Sequence, residues 1–118
     1  MAERSLFGHA GQAGIWHDQI LEVIATRLIR EFAPERIILF GSRARGDYAH
    51  DSDYDLVVVM PEGVDRRAMT VAMRRRLADL PAAKDIIVTT AADLARGSHI
   101  AGSIADEASR QGVDLYVR

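Results

Sequence analysis

Apolar residues along the chain follow two kinds of spacing, one typical of helices and the other typical of strands. Over residues 16–33 they return every three or four positions, which predicts an amphipathic helix that Pro34 ends. Residues 36–40 and 54–60 are short runs of apolar and β-branched side chains, as expected of strands that are covered on both faces. The polar residues 41–53 between them contain two glycines and predict a loop.

The second half of the chain continues this alternation of helices and strands. The same rules predict a helix at residues 65–80 and a strand at 84–90. They then predict a short helical turn around 93–97, a further helix from Ser98 to about Gln111, and a final strand at 113–117. Gly112 is expected to stop the last helix. This order predicts an α/β (α+β) fold with a small mixed β-sheet and helices packed mainly on one face.

The length of 118 residues fits one compact domain, which we assign to residues 15–118. Residues 1–14 are mostly small and polar, so they lack the continuous apolar stretch of a secretory signal and are expected to be flexible. No apolar run approaches the ~18 residues that a membrane-spanning helix needs. Membrane insertion is therefore not expected.

Charge and cysteine content exclude several classes of function. The net charge of −2 and the isoelectric point near 6.0 provide no overall positive field for binding nucleic acid. The chain has no cysteine, which excludes disulfides, thiolate metal sites and a cysteine nucleophile. This composition suits a reducing compartment, and we expect a cytoplasmic protein.

A candidate phosphate site lies at the start of the predicted loop. Gly41 follows the first strand directly, and a glycine at a strand end allows a ligand to approach the backbone closely. Amide groups in such a turn can point at one phosphate, and the Ser42 hydroxyl adds a donor. Arg43 and Arg45 follow, and guanidinium groups pair well with phosphate oxygens.

Three aspartates form a candidate acidic cluster. Asp53 and Asp55 stand two positions apart at the start of the second strand, so their side chains point to the same side of it. Asp85 is near the start of the third strand, and its carboxylate can join them if that strand lies beside the second. The pairing can be parallel or antiparallel, and the sequence alone does not decide between the two.

Such a cluster requires compensation by positive charge. Two carboxylates about 4 Å apart repel each other by roughly 4 kcal/mol at an effective dielectric constant near 20. Hard oxygen ligands favour Mg²⁺ or Mn²⁺. Two such ions can activate an attacking hydroxyl and stabilise the leaving group of an in-line displacement at phosphorus.

The segment GSRARGDYAHDSDYDLVVV, with Gly-Ser followed after ten residues by Asp-x-Asp, resembles the signature of the minimal nucleotidyltransferases of the polymerase-β superfamily. The resemblance extends in outline over the whole chain, because the predicted elements come in the family's order. It implies that Gly41 and Ser42 hold the triphosphate of ATP, that Asp53 and Asp55 bind both metal ions, and that Asp85 serves as base and ligand.

Small members of this family are typically antitoxins that form a complex with a HEPN-domain toxin. The resemblance therefore implies transfer of AMP from ATP to a tyrosine of such a partner. Two alternatives stay open, because the resemblance does not identify the acceptor. The acceptor can be a small molecule or an RNA end, or the chain can neutralise its partner by binding and occlusion without catalysis.

Other notable residues have simpler interpretations. The arginines at 74–76 are interpreted as the solvated face of the second helix, with contact to a partner or to nucleic acid as the alternative. The histidines at positions 9, 17, 50 and 99 lack metal-ligand spacing, and for His50, which falls in the loop, we expect a surface role. Packing is the favoured role for Tyr54, whereas Tyr48 can pack or contact nucleotide.

Overall fold

The computed structural model describes residues 18–49 and 51–118, which form five helices and four strands. In chain order these are α1 (Gln19–Phe32), β1 (Arg36–Phe40), α2 (Ser42–Arg45), β2 (Tyr54–Val59), α3 (Arg66–Arg76), β3 (Lys84–Thr89), α4 (Ala91–Gly97), α5 (Ile104–Gln111) and β4 (Val113–Val117). The predicted flexible segment 1–14, the expected first residues of the first helix at 16 and 17, and His50 lie outside the described residues.

The four strands form one mixed sheet in the order β3-β2-β1-β4. β1 is antiparallel to both β2 and β4, whereas β2 and β3 run parallel and in register from Tyr54 beside Lys84 to Val59 beside Thr89. A crossover through α3 connects the two parallel strands, as parallel pairing requires. The sheet confirms the predicted fold class and settles the direction of the third strand.

Helices cover both faces of the sheet unequally. The two longest helices, α1 and α3, belong to the larger core cluster on one face, to which α1 contributes Leu21, Ile24 and Leu28. On the other face, α4 and α5 contribute Leu94 and Ala108 to a smaller cluster. The second face therefore has less helical cover than the first.

Two boundaries differ from those that the sequence predicts. Residues 42–45 form a single helical turn inside the predicted loop, because the Gly41 carbonyl accepts hydrogen bonds from the amides of Ala44 and Arg45, both at 3.1 Å. The prediction that the last helix begins at Ser98 is wrong. Ser103 is the N-cap, with its side chain accepting from the Asp106 amide at 3.0 Å, and residues 98–102 form turns.

Smaller differences affect the ends of other elements. α3 ends at Arg76 and residues 77–80 form turns, so this helix is shorter than predicted. β2 and β3 each end one residue earlier than predicted. Among residues 18–49 and 51–118, no helix is long and apolar enough to cross a membrane.

The terminal strand β4 allows a test of the core within one element. Leu115 is 1% exposed, whereas Val117, two positions further along, is 53% exposed. We expect Leu115→Ala to lower the free energy of unfolding by about 2–5 kcal/mol, because it leaves a cavity in the larger cluster. Val117→Ala is the matched control and should change it by less than about 0.5 kcal/mol. Equal losses in chemical denaturation would contradict this placement of β4.

Candidate active site

Gly41 joins the end of β1 to the acidic residues of β2. Its φ angle of +75° lies in the left-handed region that side chains rarely adopt. A Cβ atom at this position would overlap the Asp55 carboxylate oxygen Oδ2 and would lie 3.1 Å from Cγ. Only glycine therefore allows the Asp55 carboxylate to lie against this backbone.

Ser42 is the first residue of α2, which Gly41 precedes as N-cap. The first amides of any helix have no acceptor within the helix, so they can donate hydrogen bonds to an anion. The helical turn thus starts immediately beside the Asp55 carboxylate, and a phosphate group here would be next to the acidic cluster.

The parallel pairing of β2 and β3 brings two of the three aspartates side by side. Asp55 is the register partner of Asp85, and Asp53 precedes β2 by one residue. Burial raises the pKa of the half-buried Asp55 carboxyl above its usual value, and the charges of Asp85, Asp53 and then Glu107 raise it further. The electrostatic potential at Asp55 is therefore negative, as the sequence predicts for such a cluster.

The three carboxylates do not converge into a ready-made set of ligands. Within residues 18–49 and 51–118, no group of three or more acidic or histidine side chains is close enough to hold a metal ion. Like charges repel each other, and Arg74 attracts Asp85 with a nitrogen–oxygen distance of 3.8 Å. The backbone brings the aspartates together, and their side chains would have to rotate to share an ion.

Arg43, one of the predicted phosphate ligands, makes several contacts within the protein. Its guanidinium lies 4.0 Å from the centroid of the Tyr54 ring and 4.7 Å from that of Tyr48. Its Nε donates to the Ser52 carbonyl at 3.0 Å, and its Nη1 lies 3.4 Å from Asp18 Oδ2. These contacts brace the loop before β2, and the predicted phosphate contact of Arg43 stays a prediction.

Arg45 lies closer to the acidic cluster. Its positive charge lowers the pKa of Asp55, in opposition to the acidic neighbours. Its Nε donates to Asp47 Oδ2 at 3.3 Å and its Nη1 to Glu107 Oε2 at 3.4 Å. A phosphate could replace these exposed carboxylates as partner of Arg45, because exposed ion pairs are weak.

Two residues of this site have no counterpart in the sequence-based prediction. Asp18 caps α1 and also accepts the Tyr54 hydroxyl, at 2.9 Å to Oδ1 and 2.7 Å to Oδ2. Glu107 lies in the first turn of α5, where an acidic residue is ordinary for a helix start. Both residues reach the site through contacts distant in sequence, for which no local signal exists.

Tyr54 packs as expected. Its side chain is 2% exposed, and burial followed by the hydrogen bond to Asp18 raises its pKa well above the usual value. The hydroxyl therefore stays protonated and serves to join β2 to the start of α1.

His99, the histidine that falls within residues 18–49 and 51–118, is exposed in the turns after α4.

The fold and the site together define a small α/β domain that presents an acidic cluster beside a glycine turn. A sequence model of the nucleotidyltransferase domain matches residues 21–110, most of the chain. The chain belongs to this family, and the resemblance seen in the sequence is thereby confirmed. A search of curated proteins finds no significant match.

Solved structures with the same fold include three relatives of low sequence identity. A candidate nucleotidyltransferase from Sulfolobus solfataricus is 22% identical, with a TM-score of 0.62 over 94% of this chain and 92% of its own. A toxin-antitoxin with AMP-PNP is 24% identical, with a TM-score of 0.58 over 82% and 73% of the two chains. A mutant of the toxin-antitoxin MntA-HpeT, with two aspartates replaced by glutamates, is 21% identical, with a TM-score of 0.59 over 86% and 75%.

The close approach of Gly41 to Asp55 can be tested against a second glycine that also has a positive φ. Gly46 has a φ of +88° but nothing within 4 Å of its Cβ position, so Gly46→Ala introduces backbone strain alone. Gly41→Ala adds the overlap with the Asp55 carboxylate, and we expect it to lower the free energy of unfolding by a further 1–3 kcal/mol or so. Equal losses for the two variants in urea unfolding would contradict this contact.

The role of Asp18 can be separated from simple helix capping. Asp65 caps α3 through one hydrogen bond to the Ala68 amide at 3.0 Å, and its loss should lower the free energy of unfolding by about 1 kcal/mol. Asp18→Ala removes an equivalent cap together with the contacts to Tyr54 and Arg43, so we expect a loss of about 2–4 kcal/mol. Thermal unfolding measures both. A loss no greater than that of Asp65→Ala would mean that the contacts to the loop contribute nothing.

Proposed function

We propose that the protein is a metal-dependent nucleotidyltransferase that transfers AMP from ATP to a hydroxyl of a partner protein. The acceptor is a tyrosine of a HEPN-domain toxin, for which this chain is the antitoxin. The observation that carries the proposal is the placement of Asp55 next to Asp85 on parallel strands, with Gly41 packed against the Asp55 carboxylate.

The comparisons support the nucleotide and the partner. One relative of the same fold is a toxin-antitoxin with AMP-PNP, an analogue of ATP. In the MntA-HpeT mutant, the two replaced aspartates are two positions apart, which is also the spacing of Asp53 and Asp55. Together with the nucleotidyltransferase family of this chain, these relatives favour ATP as donor and a toxin as acceptor.

The chemistry of the site fits Mg²⁺ or Mn²⁺. Asp55 is destabilised in its charged form by burial and by the two neighbouring aspartates, and divalent cations would relieve this repulsion. Asp53 and Asp55 would hold two ions, and Asp85 would ligate one of them. When bound, the ions supply charge neutralisation at the phosphates and at the attacking and leaving oxygens.

The residues of the chain then have distinct tasks. Gly41 and Ser42 hold the triphosphate through backbone amides and a hydroxyl, and Arg45 turns from Glu107 to a phosphate. Asp85 takes the proton of the acceptor hydroxyl, whose oxygen forms a bond to the α-phosphorus. The bond from that phosphorus to the bridging oxygen breaks on the opposite side, so that pyrophosphate leaves with the electron pair.

The proposal predicts AMP transfer that depends on the acidic cluster. The HEPN-domain partner is incubated with this protein, ATP and Mg²⁺, and its mass is measured. We expect a gain of one or more AMP units with the natural chain, and a loss of about a thousandfold or more in rate for the variant with Asp53→Asn and Asp55→Asn. Asp51→Asn, an exposed change in the same loop, is the matched control and should retain the rate.

Other outcomes would support the alternatives. Undiminished transfer by the double variant would contradict the proposed site. Turnover on a small molecule or an RNA end without any partner would assign a different acceptor. Protection from the toxin by a variant that lacks all three aspartates would favour occlusion without catalysis.

A further inference from the structure

An open cavity adjoins the acidic cluster on the side of the edge strand β3. Its volume is about 470 Å³, and Asp53, Arg74, Lys84, Asp85 and Ile86 line it. The glycine turn lies on the other side of Asp55, because β2 separates β3 from β1 in the sheet. The cavity and the glycine turn therefore flank the acidic cluster from opposite sides.

This arrangement assigns the cavity to the acceptor. In an in-line displacement, the attacking and leaving oxygens lie on opposite sides of the phosphorus. With the triphosphate at Gly41 and Ser42, the attacking hydroxyl must approach from the side of β3, where Asp85 lies. The lining of this cavity is thus in a position to distinguish one acceptor from another.

The two cations of the cavity differ in their other contacts. Lys84 donates to the carbonyls of Leu80 and Ala82, so its ammonium is engaged by the backbone before β3. Among the residues that the structure describes, the Arg74 side chain has only the long contact to Asp85, and it is 59% exposed. Arg74 is therefore the cation that can turn to a negative group on an incoming acceptor.

Arg74 continues into a larger basic surface on α3. Three of the five arginines of this helix have acidic partners, since Arg66 pairs with Asp93 and Arg76 pairs with Glu31, in addition to the long contact of Arg74 with Asp85. Positions 67, 71, 74 and 75 share one side of the helix, and all four side chains are exposed. We name this surface the α3 stripe; it consists of Arg67, Val71, Arg74 and Arg75.

Of the three arginines in the α3 stripe, Arg74 alone has an acidic neighbour among the described residues, Asp85 at 3.8 Å. Within residues 18–49 and 51–118, Arg67 and Arg75 have no ion-pair partner, and Val71 is a large apolar side chain that is 44% exposed. The whole chain has a net charge of −2, so this concentration of positive charge is local. Positive charge around an exposed apolar residue suits a protein surface with acidic side chains.

We infer that the α3 stripe docks an acidic segment of the acceptor protein and thereby presents the adjacent hydroxyl to Asp85. The inference rests on the proposed AMP transfer for the nature of the acceptor, and it adds the charge that this acceptor carries. A protein partner is favoured over nucleic acid because the exposed Val71 in the stripe suits an apolar contact with a protein, and because the chain, with a net charge of −2, provides no overall positive field for a phosphate backbone.

The test uses three synthetic peptides that differ only around one central tyrosine, which is flanked by glutamates, by glutamines or by lysines. Binding of each peptide is measured by fluorescence anisotropy with AMP-PNP and Mg²⁺ present, and AMP transfer is measured with ATP. We expect the glutamate peptide to bind about five to ten times more tightly than the glutamine peptide, as one or two exposed ion pairs allow. Higher salt should reduce this preference.

Charge reversal of the stripe provides the decisive variants. Arg67→Glu combined with Arg75→Glu should invert the order of the peptides, so that the lysine peptide has the lowest KM while kcat changes little. The pair Arg67→Gln and Arg75→Gln should remove the preference without inverting it. Arg118→Glu, a single charge reversal beyond the far end of β4, is the control for the substitution itself and should leave the order intact.

The outcomes separate this inference from the proposed function. Equal binding of the three peptides, or an unchanged order after charge reversal, would overturn the α3 stripe as docking surface even if AMP is transferred. Charge-selective binding of the peptides without any transfer of AMP would uphold the docking surface and contradict the proposed AMP transfer. A single-stranded RNA oligonucleotide provides the last comparison. If it binds more tightly than the glutamate peptide, and if the charge-reversed variant loses this binding, the stripe is assigned to nucleic acid and the inference is overturned.

Discussion

Repulsion between carboxylates on neighbouring strands is the constraint on which the rest of this structure depends. Parallel, in-register pairing of β2 and β3 holds Asp55 beside Asp85, and Asp53, two positions before Asp55, adds a third negative charge. Burial makes the charged form of Asp55 less favourable still. Under the proposed function this arrangement binds divalent cations, and its repulsion explains why the surrounding elements carry compensating groups such as Arg45 and Arg74.

The neighbouring elements hold these mutually repelling carboxylates in place. Gly41 lets β1 end directly against the Asp55 carboxylate, which no larger residue would permit. The loop before β2 is braced from α1, because Asp18 accepts the Tyr54 hydroxyl and contacts the Arg43 guanidinium that lies over the Tyr54 ring. The geometry of the site therefore rests on the packing of α1 as well as on the sheet.

Local patterns in the sequence were sufficient for much of this picture. The bounds of β1 and β4 follow from an apolar run and from alternation. The shared side of Asp53 and Asp55 stays a prediction from strand periodicity. The direction of β3 could not be predicted, because a short apolar strand can pair with its neighbour either way. The start of the last helix was misjudged because Ser98 and Ser103 are both plausible caps. The contacts of Asp18 and Glu107 span 36 and 62 residues, and no local pattern encodes them.

The central claim is that Asp53, Asp55 and Asp85 hold cations that bind the triphosphate beside Gly41. The most direct test is a crystal structure of the protein with AMP-PNP and Mn²⁺, with the metal ions located by their anomalous scattering. The account predicts anomalous peaks between the aspartates and the triphosphate, with phosphate oxygens at the amides of Gly41 and Ser42. A nucleotide bound elsewhere, or a nucleotide at the glycine turn with no metal ion at the aspartates, would contradict it.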